Sequence, residues 1–482
     1  MSPTLILTCF LAYTAMLFLV TWYTSRRANS QSFYVGNKSS PWYVIAYGMI
    51  GASLSGVTFM SVPGWVGVTK MTYFFVVLGN LLGYITIALV LMPLYYRLNL
   101  TSIYKYLEQR YGFWSHKTGA FFFLLSRTIG ASFRMFLVVN VLQVFVFDAW
   151  NVPFAVTVSV FILLIILYTI RGGIKTIIWT DTLQTTFMLL AVGISIYLIS
   201  KNLHFNVRDL FTTVVHSDYS KMADTDWHSK QFFLKQLLSG AFIAIVMTGL
   251  DQEMMQKNLS CRNIRDAQKN MFTFSSVFVI VNLLFLFLGA TLYIYASTKG
   301  IDIPQRTDDM FPTIALNYLG PVAGLVFFIG LISAAYPSAD GALTSLTTSF
   351  SIDFLDLPGK THLSEKQKQH IRYIIHLSFA LLLLGVIVVF RAINDRAVID
   401  KLFTVAGYTY GPLLGLYAFG MTTKFSIKDK LVPFVCVLSP IICYFLSEYS
   451  VQLFNGYKFG FELLIVNGLL TFLGLCLLIK KK

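Results

Sequence analysis

Residues Met49-Ile50-Gly51-Ala52-Ser53-Leu54-Ser55-Gly56-Val57-Thr58-Phe59-Met60-Ser61-Val62-Pro63-Gly64 sit inside an apolar span, yet they are crowded with Gly, Ser and Thr and close on Pro-Gly. A lipid-facing helix has no need of so many small polar residues, and Pro63 cannot donate a backbone hydrogen bond. Broken helices at membrane depth survive only where protein buries them or a wet cavity adjoins them. In transporters such breaks present carbonyls to cations and side chains to substrate. The stretch therefore reads as a sodium and solute site. A helix that packs closely through small residues is the competing reading.

The surrounding chain supports membrane depth. It has 482 residues, 56% hydrophobic and 12% charged, with a mean hydropathy of +0.68. That is the profile of a polytopic membrane protein and not of several soluble domains. Apolar stretches of about 20 residues, the length of a bilayer crossing, recur from end to end. Thirteen spans are predicted, near 3–23, 42–66, 72–96, 118–147, 152–170, 178–200, 232–256, 271–297, 317–352, 371–390, 396–420, 431–449 and 460–479. The first lacks the basic flank of a cleaved signal and reads as a retained anchor. The longest polar loop, about residues 201–231, is too short for a soluble domain.

The net charge of +15 fits a positive-inside bias better than a nucleic-acid partner. Connections on one side, from Arg26 and Arg27 to Lys480–Lys482, carry roughly twice the Lys and Arg of the other. The expected placement is a plasma (inner) membrane, with the N-terminus outside and the C-terminus cytoplasmic. Asn37, Asn99 and Asn258, each in an Asn-x-Ser/Thr triplet, fall on the cytoplasmic side, against glycosylation. Five scattered Cys form neither a metal spacing nor a disulfide framework. With no nucleophile–base arrangement, metal cluster or Gly-rich phosphate loop, an enzyme is not expected. The short tail leaves no room for the kinase domain of a sensor. The expected partners are a small solute, Na+ and the lipid bilayer, in a monomer or weak oligomer.

Three stretches at membrane boundaries narrow the class. The third connection carries Pro93, Arg97, Thr101, Tyr104, Leu107, Arg110 and Gly112. The next runs from Tyr168-Thr169 through Gly172-Gly173 to Trp179-Thr180-Asp181 and Gln184. The third is Asp251-Gln252 with Gln256-Lys257. Together with Thr307-Asp308-Asp309 and Gly407-Tyr408-Thr409-Tyr410-Gly411-Pro412, these resemble the sodium:solute symporter family over about residues 20–420. Any one is weak; five in order are specific. The resemblance implies an all-α membrane protein with a LeuT-like 5+5 inverted repeat and about 13 transmembrane helices. In one transport domain, residues 3–23 would be an extra helix, 42–200 and 232–420 the two repeats, and 431–479 two C-terminal helices. The repeat is not visible in the sequence itself.

Charged residues at membrane depth carry the chemistry. Asp181 lies just inside the sixth span, where a charge costs several kcal/mol unless paired or solvated. It calls for a cation, or else reaches headgroups or Lys175. Arg127 and Arg134 lie two helical turns apart and share one face of the fourth span. Arg134, the deeper, needs an acceptor, and its planar fork suits a carboxylate. Asp181, Asp251 or Asp340 could equally neutralise it as an ion pair. The resemblance implies a role in holding substrate carboxylate for Arg134, because an Arg-Met pair like Arg134-Met135 does so in sialic-acid-transporting members.

The resemblance also implies sodium ligands. In the ninth span an ungapped register back from Asp353 places a ligand carbonyl at Ala334 and hydroxyls at Pro337 and Ser338; a register shifted by one uses Ala335, Ser338 and Ala339. Pro337 departs from the family and removes one hydroxyl, but releases the Ser333 carbonyl. Ser338 survives both registers. Asp340 and Gly341 stand where two-sodium relatives carry further hydroxyls, so Asp340 with Asp181 would build a second cation site, or Asp340 would pair with Arg134. Gly51 and Leu54 would supply sodium carbonyls, while Ser55, Thr58 and, on the next span, Asn80 would face the solute. The function expected is sodium-coupled symport of a small organic solute bearing a carboxylate, sialic acid-like or a monocarboxylate. A neutral sugar or polyol symporter is the alternative.

Overall fold

The computed structural model describes residues 3–25, 33–34, 36–393 and 398–480. Arg26, Arg27, Arg396, Lys481 and Lys482, counted above in the charge bias, lie outside the described residues, as do the side chains of Arg171 and Lys175. The described residues form helices and connecting turns, with no strand beyond isolated bridges. In chain order these helices are α1 (Pro3–Ser25), α2 (Trp42–Ser53), α3 (Gly56–Thr69), α4 (Phe74–Arg97), α5 (Phe113–Trp150), α6 (Phe154–Thr169) and α7 (Thr176–Asn202). There follow α8 (Val207–Val215), α9 (Phe233–Gly249), α10 (Gln252–Leu259), α11 (Ile264–Lys299), α12 (Met310–Asn317) and α13 (Pro321–Phe354). The last five are α14 (Glu365–Ala392), α15 (Val398–Thr409), α16 (Gly411–Thr422), α17 (Val432–Glu448) and α18 (Leu463–Leu477).

Every predicted span coincides with helix. Among the described residues eight helices are long and apolar enough to cross a membrane, or ten if each of two bent pairs is one span. The other three predicted spans fall on shorter helices: α6, the broken pair α15–α16, and α18. The centre and the periphery are distinguished by burial. Of the apolar window of α13, 78% is buried inside the protein, against 22% for the helix over Asp429–Glu448. The outer apolar surface of the latter, including Phe434 and Leu438, is what a bilayer would cover.

The two bent pairs shape the middle. The α2 helix stops at Ser53, Leu54 leaves helical geometry (φ −89°, ψ 46°), Ser55 is extended in ψ (−178°), and α3 restarts at Gly56 at 54° to α2. The break therefore lies at Leu54–Ser55, upstream of Pro63, which α3 carries inside its length. Ser and Gly at 53, 55 and 56 explain the position: serine competes for local backbone hydrogen bonds and glycine is costly in a helix interior. The second pair, α9 and α10, bends by 65° around Leu250 and Asp251. Asp251 caps α10, its Oδ1 accepting the amides of Glu253 (2.9 Å) and Met254 (3.3 Å). Between α6 and α7 the chain turns at Gly173, whose φ of +57° favours glycine, and where a Cβ would also press on the Phe33 backbone.

Candidate functional site

The break in α2–α3 opens onto a closed cavity of about 70 Å³. Ser55, Thr58, Asn80 and Arg134, the four residues expected to face solute, all line it. The α3 N-terminus packs directly on α5: a Cβ on Gly56 would lie 3.5 Å from the Arg134 carbonyl. The α3 N-terminus thus lies against the Arg134 backbone, and helix N-termini favour negative charge. Arg134 is only 7% exposed, and its Nε and Nη1 have no hydrogen-bond partner. No carboxylate among the described residues forms an ion pair with it. The Asn80 Oδ1 is likewise buried without a partner. Sequence reasoning missed Ser53, Tyr73, Thr248 and Phe403, which line the same cavity; they come from four separate stretches, and no local pattern links them.

The carboxylates considered as partners of Arg134 are engaged elsewhere. Arg127 pairs with Glu253 and lies 3.8 Å from Asp251, and Tyr410 Oη donates to Asp251 Oδ2 (2.8 Å). Asp181 is fully buried with its Oδ2 2.7 Å from Lys257 Nζ. The Asp340 Oδ2 accepts from Tyr168 Oη (2.7 Å) and its Oδ1 from the Gly341 amide (2.6 Å). The expectation that Asp181 needs a cation beside it is met by a lysine that sequence reading had not considered. Hydropathy ended the seventh span at 256 and left Lys257 in a loop, whereas α10 is buried along its whole length. Gly341 faces neither sodium nor solvent: a Cβ there would collide with the Glu253 carboxyl group.

The expected sodium ligands lie where α2, α7 and α13 pack together. Gly51 and Leu54 occupy the end of α2, where the last carbonyls lack intrahelical amides. Gly51 also serves close packing, since a Cβ on it would strike the Thr185 side chain, and its amide donates to Thr185 Oγ1 (3.0 Å). The close-packing reading of the stretch therefore holds at Gly51. Ala334, Ala335 and Pro337 lie within the continuous helix α13. Ser338 Oγ is fully buried without a hydrogen-bond partner. So are Ser53 Oγ on α2 and both amide atoms of Gln184 on α7. Buried polar atoms are normally satisfied, and three such side chains on mutually packed helices mark a place for an ion or water. Gln184 stands in the Trp179–Gln184 motif, one turn from Asp181, but had been given no role.

The far ends of the bundle are closed differently. At one end a cavity of about 320 Å³, lined by Lys230, Lys458, Trp65 and Phe403, meets the central one at Phe403, which lines both. Phe403 stacks on Tyr73 (centroids 6.3 Å apart) and packs on Phe461 (5.0 Å). At the other end the recognised motifs lock to one another. The Gln252 side chain clamps the backbone of Thr101 and Ile103. Tyr104 Oη donates to the Leu250 carbonyl (2.9 Å), and Asp353 accepts from Ser102 (2.8 Å) and Ser349 (2.7 Å) and meets His116 Nε2 (2.9 Å).

Comparison with known proteins agrees with this architecture. Residues 33–426 match the sodium:solute symporter family. The sodium/sialic acid symporter SiaT of Proteus mirabilis is 23% identical over 92% of this chain and 89% of its own length. The mouse sodium-coupled monocarboxylate transporter 1 is 24% identical over 82% of this chain and 65% of its own. Among solved structures, a substrate-bound, outward-open Na+-coupled sialic acid symporter superposes with a TM-score of 0.82 at 20% identity, covering 98% of this chain and 97% of that one. The fold is thus the all-α, LeuT-like membrane fold that the motifs imply, and the chain belongs to the sodium:solute symporter family.

Proposed function

We propose that this protein is a sodium-coupled symporter that imports a small organic carboxylate, of the sialic acid or monocarboxylate kind. One observation carries the substrate class: Arg134, buried and without a protein counter-ion, lines the cavity shared by Ser55, Thr58 and Asn80. A buried charge without a partner is costly, and a solute carboxylate supplies that partner together with the α3 amides. Ser55 and Thr58 then hold the remaining polar groups. Sodium binds between the α2 carbonyls of Gly51 and Leu54 and the Ser338 hydroxyl with the Ala334 or Ala335 carbonyl of α13. It thereby holds the broken helix in the shape the solute needs. The two carboxylates Asp181 and Asp340 were candidates for a further cation.

The repeats fall at 42–200 and 232–420, supported by the bent pair that opens each, α2–α3 and α9–α10. The charge bias supports an N-terminus outside and a cytoplasmic C-terminus, which makes the Phe403 end outer and the Asp353 end inner. The driving force is about 2.3 kcal/mol per charge per 100 mV plus the concentration term.

A thermal-stability screen of the purified chain with sialic acids, short monocarboxylates and neutral sugars, each in sodium or potassium, tests this reading. Binding raises apparent stability by mass action. The expected result is a sodium-dependent shift with carboxylates that Arg134→Ala abolishes. A shift with neutral sugars that survives Arg134→Ala would overturn the carboxylate assignment.

A further inference from the structure

Among the described residues the best-hidden cation is a lysine. Lys257 sits on α10, 1% exposed, with Nζ 2.7 Å from Asp181 Oδ2 and 3.5 Å from Glu253 Oε1. From there a line of alternating charges runs through Glu253, Arg127 and Asp251 to the Tyr410 hydroxyl. Asp181 and Lys257 come from helices in different halves of the chain, α7 and α10. Their contact ties the second half of a broken helix to the helix against which α2 packs.

We infer that Lys257 is the resident cation of Asp181, so that this carboxylate takes no sodium and the protein binds a single sodium ion, at the Ser338 site. This rests on the sodium-coupled reading above. Three features support it. An ion reaching Asp181 would sit within a few ångströms of an ammonium group, and like charges repel strongly where water is excluded. At Asp340 and Gly341, the two positions expected to serve a second ion, the oxygens are committed or absent. Both oxygens of Asp340 already accept hydrogen bonds, Gly341 has no side chain to offer, and the space beside it holds the Glu253 carboxyl group. Finally, Asp181 itself has little to offer, since its Oδ2 is held by the Lys257 ammonium. The single unpartnered Asp181 Oδ1 is not a coordination shell for sodium.

Equilibrium binding of radioactive sodium to the purified full-length chain tests the inference. Wild type is expected to saturate at one ion per chain. Lys257→Met, which keeps the length of the side chain but not its charge, is expected to leave Asp181 without its counter-ion, and so to lower the thermal midpoint in sodium and potassium alike while the count stays at one. Asp181→Asn, with Lys257 intact, is expected to retain one ion at unchanged affinity. Wild-type saturation at two ions would overturn the inference while leaving sodium coupling intact. So would loss of sodium binding in a monodisperse Asp181→Asn protein, or a Lys257→Met protein as stable as wild type in both salts. Should Lys257→Met fail to fold, the wild-type count and Asp181→Asn still decide it. Absence of sodium binding to wild type would instead overturn the sodium-coupled function itself.

Discussion

Two buried arginines, two turns apart on one helix, differ only in what faces them. Arg127 is neutralised by Glu253 and Asp251, so Arg127→Ala strands two buried carboxylates and should reduce the yield of folded protein. Arg134 has no such partner, and its removal should leave folding nearly intact. Truncating one side of a buried charge pair costs about 2–5 kcal/mol, so Arg134→Ala should weaken carboxylate binding by at least about 30-fold. A solute titration on the folded variant checks this; unchanged affinity would refute it. The sodium site allows a similar single-atom test. Ser338 Oγ has no protein partner, so Ser338→Ala leaves nothing unsatisfied and removes only a ligand. A lost ligand of about 1–1.5 kcal/mol should raise the sodium concentration for half-maximal stabilisation roughly tenfold, without lowering stability in potassium. Destabilisation in potassium would make Ser338 a packing residue.

At the scale of elements, α10 and α13 are held by a carboxyl group lying against a glycine. A methyl on Gly341 meets the Glu253 side chain, and overpacking of this kind costs about 1–3 kcal/mol. Gly341→Ala should therefore lower the thermal midpoint in sodium and potassium alike, whereas Gly193→Ala, with open space around it, should not. Equal midpoints for the two variants would show that α10 and α13 have slack between them. The same contact shows where sequence reading stops. Hydropathy placed each predicted span on helix because twenty apolar residues in a row leave few alternatives. The α2–α3 break was legible because Gly, Ser and Thr are conspicuous at membrane depth, although Pro63 drew attention downstream of the true break at Leu54–Ser55. The burial of α10 was not legible. The seventh span took in Gln252, Glu253 and Gln256 but stopped short of Lys257, and only partners on α5, α7 and the third connection make this polar surface core. Arg134 was found by its depth, but its lack of a counter-ion is a property of the assembled bundle.

For the whole molecule, the two closures of the central cavity differ in kind, and this sets how solute leaves. The Asp353 end is shut by directed hydrogen bonds that Ser102 and His116 make to Asp353 from other elements. The Phe403 end is shut by aromatic packing on Tyr73 and Phe461, which is non-directional and yields gradually as α15 moves. A cavity of about 70 Å³ is well below the roughly 300 Å³ of a drug-sized site. Phe403 lines both this cavity and the one of about 320 Å³ beyond it, so its withdrawal would join the two and make room for a larger solute. Phe403→Ala should join them permanently. Contact of solute with Arg134 is unchanged by this, so the preference for carboxylate over neutral ligands should persist. The dissociation rate should rise, by about tenfold for the loss of 1–1.5 kcal/mol of aromatic contact over the bound solute. The measurement is the release rate of the ligand that the stability screen identifies, from the wild type and from the variant, in saturating sodium. Equal rates would show that Phe403 is not the lid, and would move the outer closure to another residue of the aromatic cluster.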